Sequence, residues 1–157
     1  MLAIRPYREA DRDIALGLFL ELNRHEFTVS GDRRTDRGGA QFCIDDMIED
    51  LAKGVVAVVA EWDGAVCGLM VWAIKSDGDY VEEAFRRYGF IQDVVVAQAY
   101  RGRGIGAALL AEAERLTRAA GLPRLKLTVL AGNDAAMDAY ARAGYRDYAR
   151  VMIKDLA

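Results

Sequence analysis

The chain is short of the residues on which several common chemistries depend. A single histidine, His25, cannot supply a histidine-rich metal set and poorly supplies a Ser-His triad. The two cysteines, Cys43 and Cys67, lie apart without metal-ligand spacing, and both read as small core residues. Long apolar runs are missing too, so no stretch approaches membrane-spanning length. The opening MLAIRPYREADRDIALG carries charge where a signal peptide would need an unbroken apolar segment, which places the expected location in the cytoplasm. Nor is there an excess of positive charge. Lys and Arg number 21 against 24 Asp and Glu, a net charge of -3, so nothing global recruits nucleic acid or an anionic membrane. Any anion must be gripped locally. No repeat or linker divides the 157 residues, and residues 1–157 read as a single domain long enough to bury a core.

What the chain does have is clear periodicity. Ile4 to Tyr7 reads as a strand, and Asp11 as the cap of a helix whose Ile14, Ala15, Leu18, Phe19 and Leu22 share one face, with His25 at its end. The glycine-rich, unperiodic stretch Ser30 to Gly39 reads as a loop before a second helix with Phe42, Met47, Ile48 and Leu51 turned inward. Two β-rich runs flank Asp63-Gly64, a pair that tolerates the positive φ of a tight hairpin. After a charged stretch from Ser76 to Tyr88, a loop or a short helix, FIQDVVVAQ predicts a central strand covered on both faces. A helix from Gly104 to Ala120 buries Ile105, Leu109, Leu116 and Ala120, and ends at Gly121 and Pro123. A strand from Arg124 to Leu130, a helix from Asn133 to Ala143 and a last strand or strand pair in YRDYARVMIKDL complete the order. The fold class expected is α/β or α+β, with a mixed, mostly antiparallel central sheet and helices on both faces.

The most informative stretch is AYRGRGIGAALL, where a strand leads into a helix through alternating glycines and arginines. A helix N-terminus presents free N–H groups and the positive end of its dipole. Glycines there let an anion reach the backbone, and Arg101 and Arg103 add charge that matches phosphate. A pyrophosphate is the natural occupant; the plainer reading is a tight turn, for which one or two glycines would do. Gly102, Gly104 and Ala107 also match a dinucleotide fingerprint, but the next strand carries no acidic residue for a ribose, and no Gly-Lys-Ser or Gly-Lys-Thr supports a Walker loop.

DVVVAQAYRGRGIGAALL resembles the signature region of the GCN5-related N-acetyltransferase (GNAT) superfamily, with Arg101, Gly104 and Gly106 at the signature positions. LTVLAGNDAAMDAYARAGY is similar to the family's later strand, its Asn, its short helix bearing a Tyr and its Gly-aromatic pair. The resemblance covers roughly residues 90–156 well, and the front of the chain only through its order of elements. It implies a GNAT-like fold and acetyl-CoA as co-substrate, with no metal. The backbone of Val94, Val95 and Val96 would pair with the pantetheine arm, Arg101, Gly102, Arg103, Gly104, Ile105, Gly106 and Ala107 would hold the pyrophosphate, and Asn133 would contact the cofactor arm.

Direct acetyl transfer to an amine needs a neutral amine, donors for the developing oxyanion and a proton for the departing thiolate. The resemblance makes Tyr140 the proton donor; packing against Met137 is its alternative role. Backbone N–H groups of Val94 to Val96 are the expected oxyanion donors. Asp93 is the candidate base, directly or through water, with Glu61, Glu82 and His25 in reserve. The resemblance puts the acceptor between Asn23 to Gly39 and Ser76 to Phe90. Arg33, Arg34 and Arg37 there alternate with Asp32 and Asp36, the pattern of a solvated loop. The expected acceptor is a small-molecule amine, with a protein or peptide amine as runner-up and a non-catalytic acyl-CoA sensor as the reading from another class. No nucleic acid or membrane partner is expected, and a homodimer is left open.

Overall fold

A computed structural model describes residues 1–156. Its elements run β1 (Leu2–Pro6), α1 (Arg12–Ser30), α2 (Arg37–Leu51), β2 (Val56–Trp62), β3 (Ala65–Ser76), α3 (Glu83–Arg86), β4 (Arg87–Val96), α4 (Ile105–Ala119), β5 (Leu125–Leu127) and α5 (Asp134–Arg142). The strands form one sheet in the order β1-β2-β3-β4-β5, antiparallel except for the parallel β4–β5 pair. The Asp63-Gly64 turn joins β2 to β3 with φ of 50° and 83°, the conformation that such a hairpin demands. Among the described residues no helix is long and apolar enough to cross a membrane.

Alternation along the strands sends side chains into two cores. On one face Val59, Leu69, Val71 and Val95 meet Ala15, Phe19, Ala40, Ile44 and Met47 of α1 and α2. On the other, Val58, Met70, Trp72 and Ile91 meet Ile105, Leu109 and Ala113 of α4, with Tyr140 of α5 at the margin. Trp72 donates its indole N–H to Thr117 Oγ1 at 2.9 Å, and Thr117 donates in turn to the Ala113 carbonyl at 2.8 Å, so these two buried polar side chains are satisfied.

Several expectations need correction. Ile14 and Phe42 are 47% and 70% exposed, because each lies outside the stripe its helix presents to the sheet. Ala120 is exposed past the end of α4. His25 is not at a helix end, since α1 continues to Ser30 and stops at Gly31 in the left-handed conformation. The Asp11 side chain does not cap α1; it accepts from the Arg5 guanidinium at 2.7 and 2.8 Å and from the Arg8 N–H. Cys67 is buried, but Cys43 only partly. The Arg124 to Leu130 strand contracts to Leu125–Leu127, and residues 145–156 form no strand with any described residue, since nothing in the single chain pairs with them.

Candidate functional site

The key irregularity is in β4. Val71 of β3 pairs with Asp93, whereas the next residue, Trp72, pairs with Ile91, so Gln92 is an extra residue in the strand. Side-chain parity reverses across this bulge. Ile91 lies in the α4 core, but Val95 lies in the α1/α2 core, and Asp93 shares the Val95 side. Gln92 and Asp93 consequently line one cleft, which strict alternation would forbid. The same irregularity accompanies a splay: β5 pairs only with Gly89, Phe90 and Ile91. Beyond Ile91, Val94, Val95 and Val96 pair with Met70, Leu69 and Gly68 on one side and with no described strand on the other.

The free edge runs into the glycine turn. Gly102 and Gly104 have φ of 77° and 79°, left-handed values that other residues adopt only at a cost, and Gly104 sits at the N-cap of α4 without a capping side chain. A Cβ on either would meet no atom within 4 Å, and one on Gly106 would reach only Val96 Cγ2 at 4.0 Å, so the space before the helix is open. Arg101 Nε donates to the Val96 carbonyl at 3.0 Å, tying the turn to the strand end. Arg103 stacks near Trp62 and Tyr100, 5.4 and 5.3 Å from their ring centres. Ile105 is buried in the α4 core and anchors the first helical turn, where Ala107 also sits. Bare N–H groups, a helix dipole and two guanidinium groups thus occur together.

A small cleft of about 110 Å³ opens on the other side of β4, lined by Phe42, Cys43, Asp46, Met47 and Asp50 of α2 with Val71, Gln92 and Asp93. Three carboxylates and no cationic side chain line it. Burial, then the Glu26 and Asp46 carboxylates, push Asp93 up from 3.8 to about 6. Burial and then Glu26 also push the Tyr140 phenol above its ordinary value of 10.0. The Glu26 carboxylate on α1 thus contributes to both shifts. Tyr140 packs edge-on against Tyr145 at 5.8 Å. Asn133 caps α5 by accepting from the Ala136 N–H at 3.4 Å, and its Oδ1 lies 3.5 Å from His25 Nε2 across from α1. Among the described residues no group of three or more His, Cys, Asp or Glu is poised to hold a metal.

Of the reserve bases, His25 stays beside Asn133, and the other two separate from this cluster. Glu61 accepts from Arg5 at 2.6 Å, and Glu82 stands at the start of α3. Arg33 pairs with Glu26 of α1 and with Asp32, and Arg34 with Asp36, so two of the three arginines named for this stretch are neutralised locally. The cleft draws nothing from Ser76 to Phe90. Asp46, Asp50 and Gln92 were not found from sequence, because no local pattern distinguishes the two acids from solvated helix residues and the bulge that turns Gln92 to the cleft exists only in the strand pairing; Glu26 lay within the expected acceptor stretch but was not singled out.

The family model for the acetyltransferase (GNAT) family matches residues 18–145. The chain belongs to the GNAT family. Its members use acetyl-CoA as acetyl donor. A glucosamine 6-phosphate N-acetyltransferase of Trypanosoma brucei brucei is 34% identical over 71 residues, 45% of this chain and 46% of that enzyme, so the match spans about half of the relative's length. A mutant Bacillus halodurans protein superposes with a TM-score of 0.82 at 18% identity, covering 99% of both chains. A GCN5-related N-acetyltransferase from Ralstonia eutropha does so at 0.77 and 21%, again over 99% of both. These two likenesses show the GNAT fold, in agreement with the mixed five-stranded sheet.

Proposed function

We propose that residues 1–157 act as one acetyltransferase domain that moves an acetyl group from acetyl-CoA to a cationic small-molecule amine. The observation that carries this reading is the open glycine turn at the start of α4 beside a β4 edge that loses its neighbour after Ile91. Coenzyme A carries a diphosphate and an amide-rich arm, and these two features complement it: N–H groups of Arg101 to Ala107 for the phosphates, backbone of Val94 to Val96 for the arm. Asn133, already oriented by Ala136 and His25, borders the arm. When bound, acetyl-CoA supplies an activated thioester carbonyl.

The chain's own groups do the rest. Asp93, with a pKa near 6, is ionised at neutral pH yet basic enough to accept a proton from the amine, directly or through water. Backbone N–H of the Val94 to Val96 edge faces the carbonyl oxygen as charge grows on it. Tyr140 keeps its phenolic proton at neutral pH and donates it to the leaving sulfur. The cleft beside Asp93 favours a cationic acceptor, since Asp46, Asp50 and Asp93 would oppose a phosphate. A phosphorylated amino sugar, the substrate type named for the Trypanosoma relative, is the reading this charge disfavours.

The test is thiol release from acetyl-CoA with a chromogenic thiol reagent, over a panel of polyamines, aminoglycosides, amino-sugar phosphates and lysine peptides. Turnover on multiply charged amines is expected. In Tyr140→Phe, kcat should fall about 10²–10⁴-fold with the acetyl-CoA Kd kept within about threefold. Binding of acetyl-CoA without turnover on any amine would instead support the sensor reading.

A further inference from the structure

The two lips of the splay between β4 and β5 are held by one helix that belongs to neither. On the β4 side, Glu21 of α1 accepts through Oε2 from the Gln98 N–H at 3.0 Å, 77 residues along the chain and just before the glycine turn. On the β5 side, His25 Nε2 lies 3.5 Å from Asn133 Oδ1, and a Cβ on the preceding Gly132 would lie 3.6 Å from Val29 Cγ1. Glu21, His25 and Val29 are spaced i, i+4, i+8, so they form one stripe along α1. That stripe joins the end of β4 to the start of α5, across the gap left when β5 stops pairing at Ile91.

The contacts on the β5 side also fix a proton. Asn133 Oδ1 accepts from the Ala136 N–H, one of the amides that a helix N-terminus leaves without an intrahelical partner. The amide oxygen is thus committed to the cap, and the His25 nitrogen facing it must donate, which in the neutral ring assigns the proton to Nε2. With its oxygen engaged twice, Asn133 keeps Nδ2, which donates to none of the described residues, for an outside acceptor. The amide carbonyls of a pantetheine arm are acceptors of that kind.

We propose that the stripe of Glu21, His25 and Val29 is a strap that positions the acetyl-CoA site: Glu21 sets the backbone entering the phosphate turn, and His25 sets which end of the Asn133 amide meets the arm. This rests on the acetyl-CoA reading above. Glu21 and His25 are positioning residues, since one acts through Gln98 and the other through Asn133. Val29 packs the β5–α5 loop against the same helix face, so the two lips move together with α1. Contacts that are already ordered before the ligand arrives lower the ordering cost of binding, so the strap is read in the dissociation constant for coenzyme A.

Calorimetric titration with coenzyme A, together with backbone amide exchange followed by NMR on the unliganded chain, tests this. Glu21→Ala should weaken the Kd about five- to tenfold and speed exchange at the Gln98 amide by about tenfold, whereas Glu21→Gln, which retains an acceptor, should restore both. His25→Ala should weaken the Kd by a similar factor, and His25→Gln, whose amide N–H can reach Oδ1, should recover it to within about twofold. Asn133→Ser keeps a cap for α5 but lacks the free amide, so adding His25→Ala to it should change the Kd less than about twofold, whereas independent structural effects would multiply. A parent chain that binds no coenzyme A overturns the acetyl-CoA reading and the strap with it. A parent that binds, with Glu21→Ala and His25→Ala both within about twofold of it, or with His25→Ala and Asn133→Ser effects that multiply, overturns the strap and leaves that reading standing.

Discussion

At the residue scale, Asp93 is held in a state that costs the fold and, in the proposed mechanism, would serve the reaction. Its carboxyl is raised to about 6 from 3.8, so the folded chain binds its proton more tightly than the unfolded chain does. The corresponding stability is fully present below 3.8 and is lost as the pH rises through 6. Asp93→Asn should therefore raise stability at pH 8 by on the order of 1–3 kcal/mol, seen as a higher Tm, while the variant loses the parent's decline in stability between pH 4 and 7. In kinetics the parent's kcat/KM should climb with pH through about 6, and the variant should lack that limb. An unchanged pH profile would remove Asp93 from proton transfer, leaving a water relay.

At the scale of elements, two glycines separate binding from folding. Gly106 lies in the first turn of α4 with an ordinary helical backbone and open space at its missing Cβ. Gly106→Glu should leave Tm unchanged or higher, because it replaces a helical glycine and places a negative charge at the positive end of the dipole. Coenzyme A affinity measured by calorimetry should fall about a hundredfold, roughly 2.7 kcal/mol, because in the proposed site that carboxylate would take the place of phosphate. Gly89 is the reverse case. A Cβ there would lie 2.3 Å from Thr117 Oγ1 and 2.7 Å from Trp72 Nε1, so Gly89→Ala should break the Trp72–Thr117–Ala113 chain. The expected cost is about 1–3 kcal/mol in chemical denaturation, with the Kd for coenzyme A little changed in the folded fraction.

At the scale of the whole molecule, the front of the chain is clamped to the sheet by charge. Arg5 on β1 reaches Asp11 before α1 and Glu61 on β2, and its guanidinium holds Asp11 below its ordinary 3.8. That depressed pKa contributes stability above about 4, which is lost as the pH falls below the ordinary carboxylate value. Asp11→Ala should cost about 3–5 kcal/mol at pH 7, since it leaves Arg5 partly buried without its main partner, and the gap to the parent should narrow toward pH 2 in acid-unfolding curves.

The amino-acid sequence by itself determined the order of elements, the Asp63-Gly64 hairpin, the Asn133 cap and the glycine turn, because each depends on backbone preferences within a few residues. It identified Asp93 and Tyr140 as candidates, yet not the surroundings that tune them. Which side of the sheet Asp93 faces follows from the bulge at Gln92, and that bulge exists only in the pairing of β3 with β4. The acids around it come from α1 and α2, more than 40 residues away, brought near by helix packing that periodicity describes only as an inward face. The last strand read in YRDYARVMIKDL has the residues of a strand but finds no partner within one chain, because strand formation needs a second backbone, and only the three-dimensional arrangement says whether one is present.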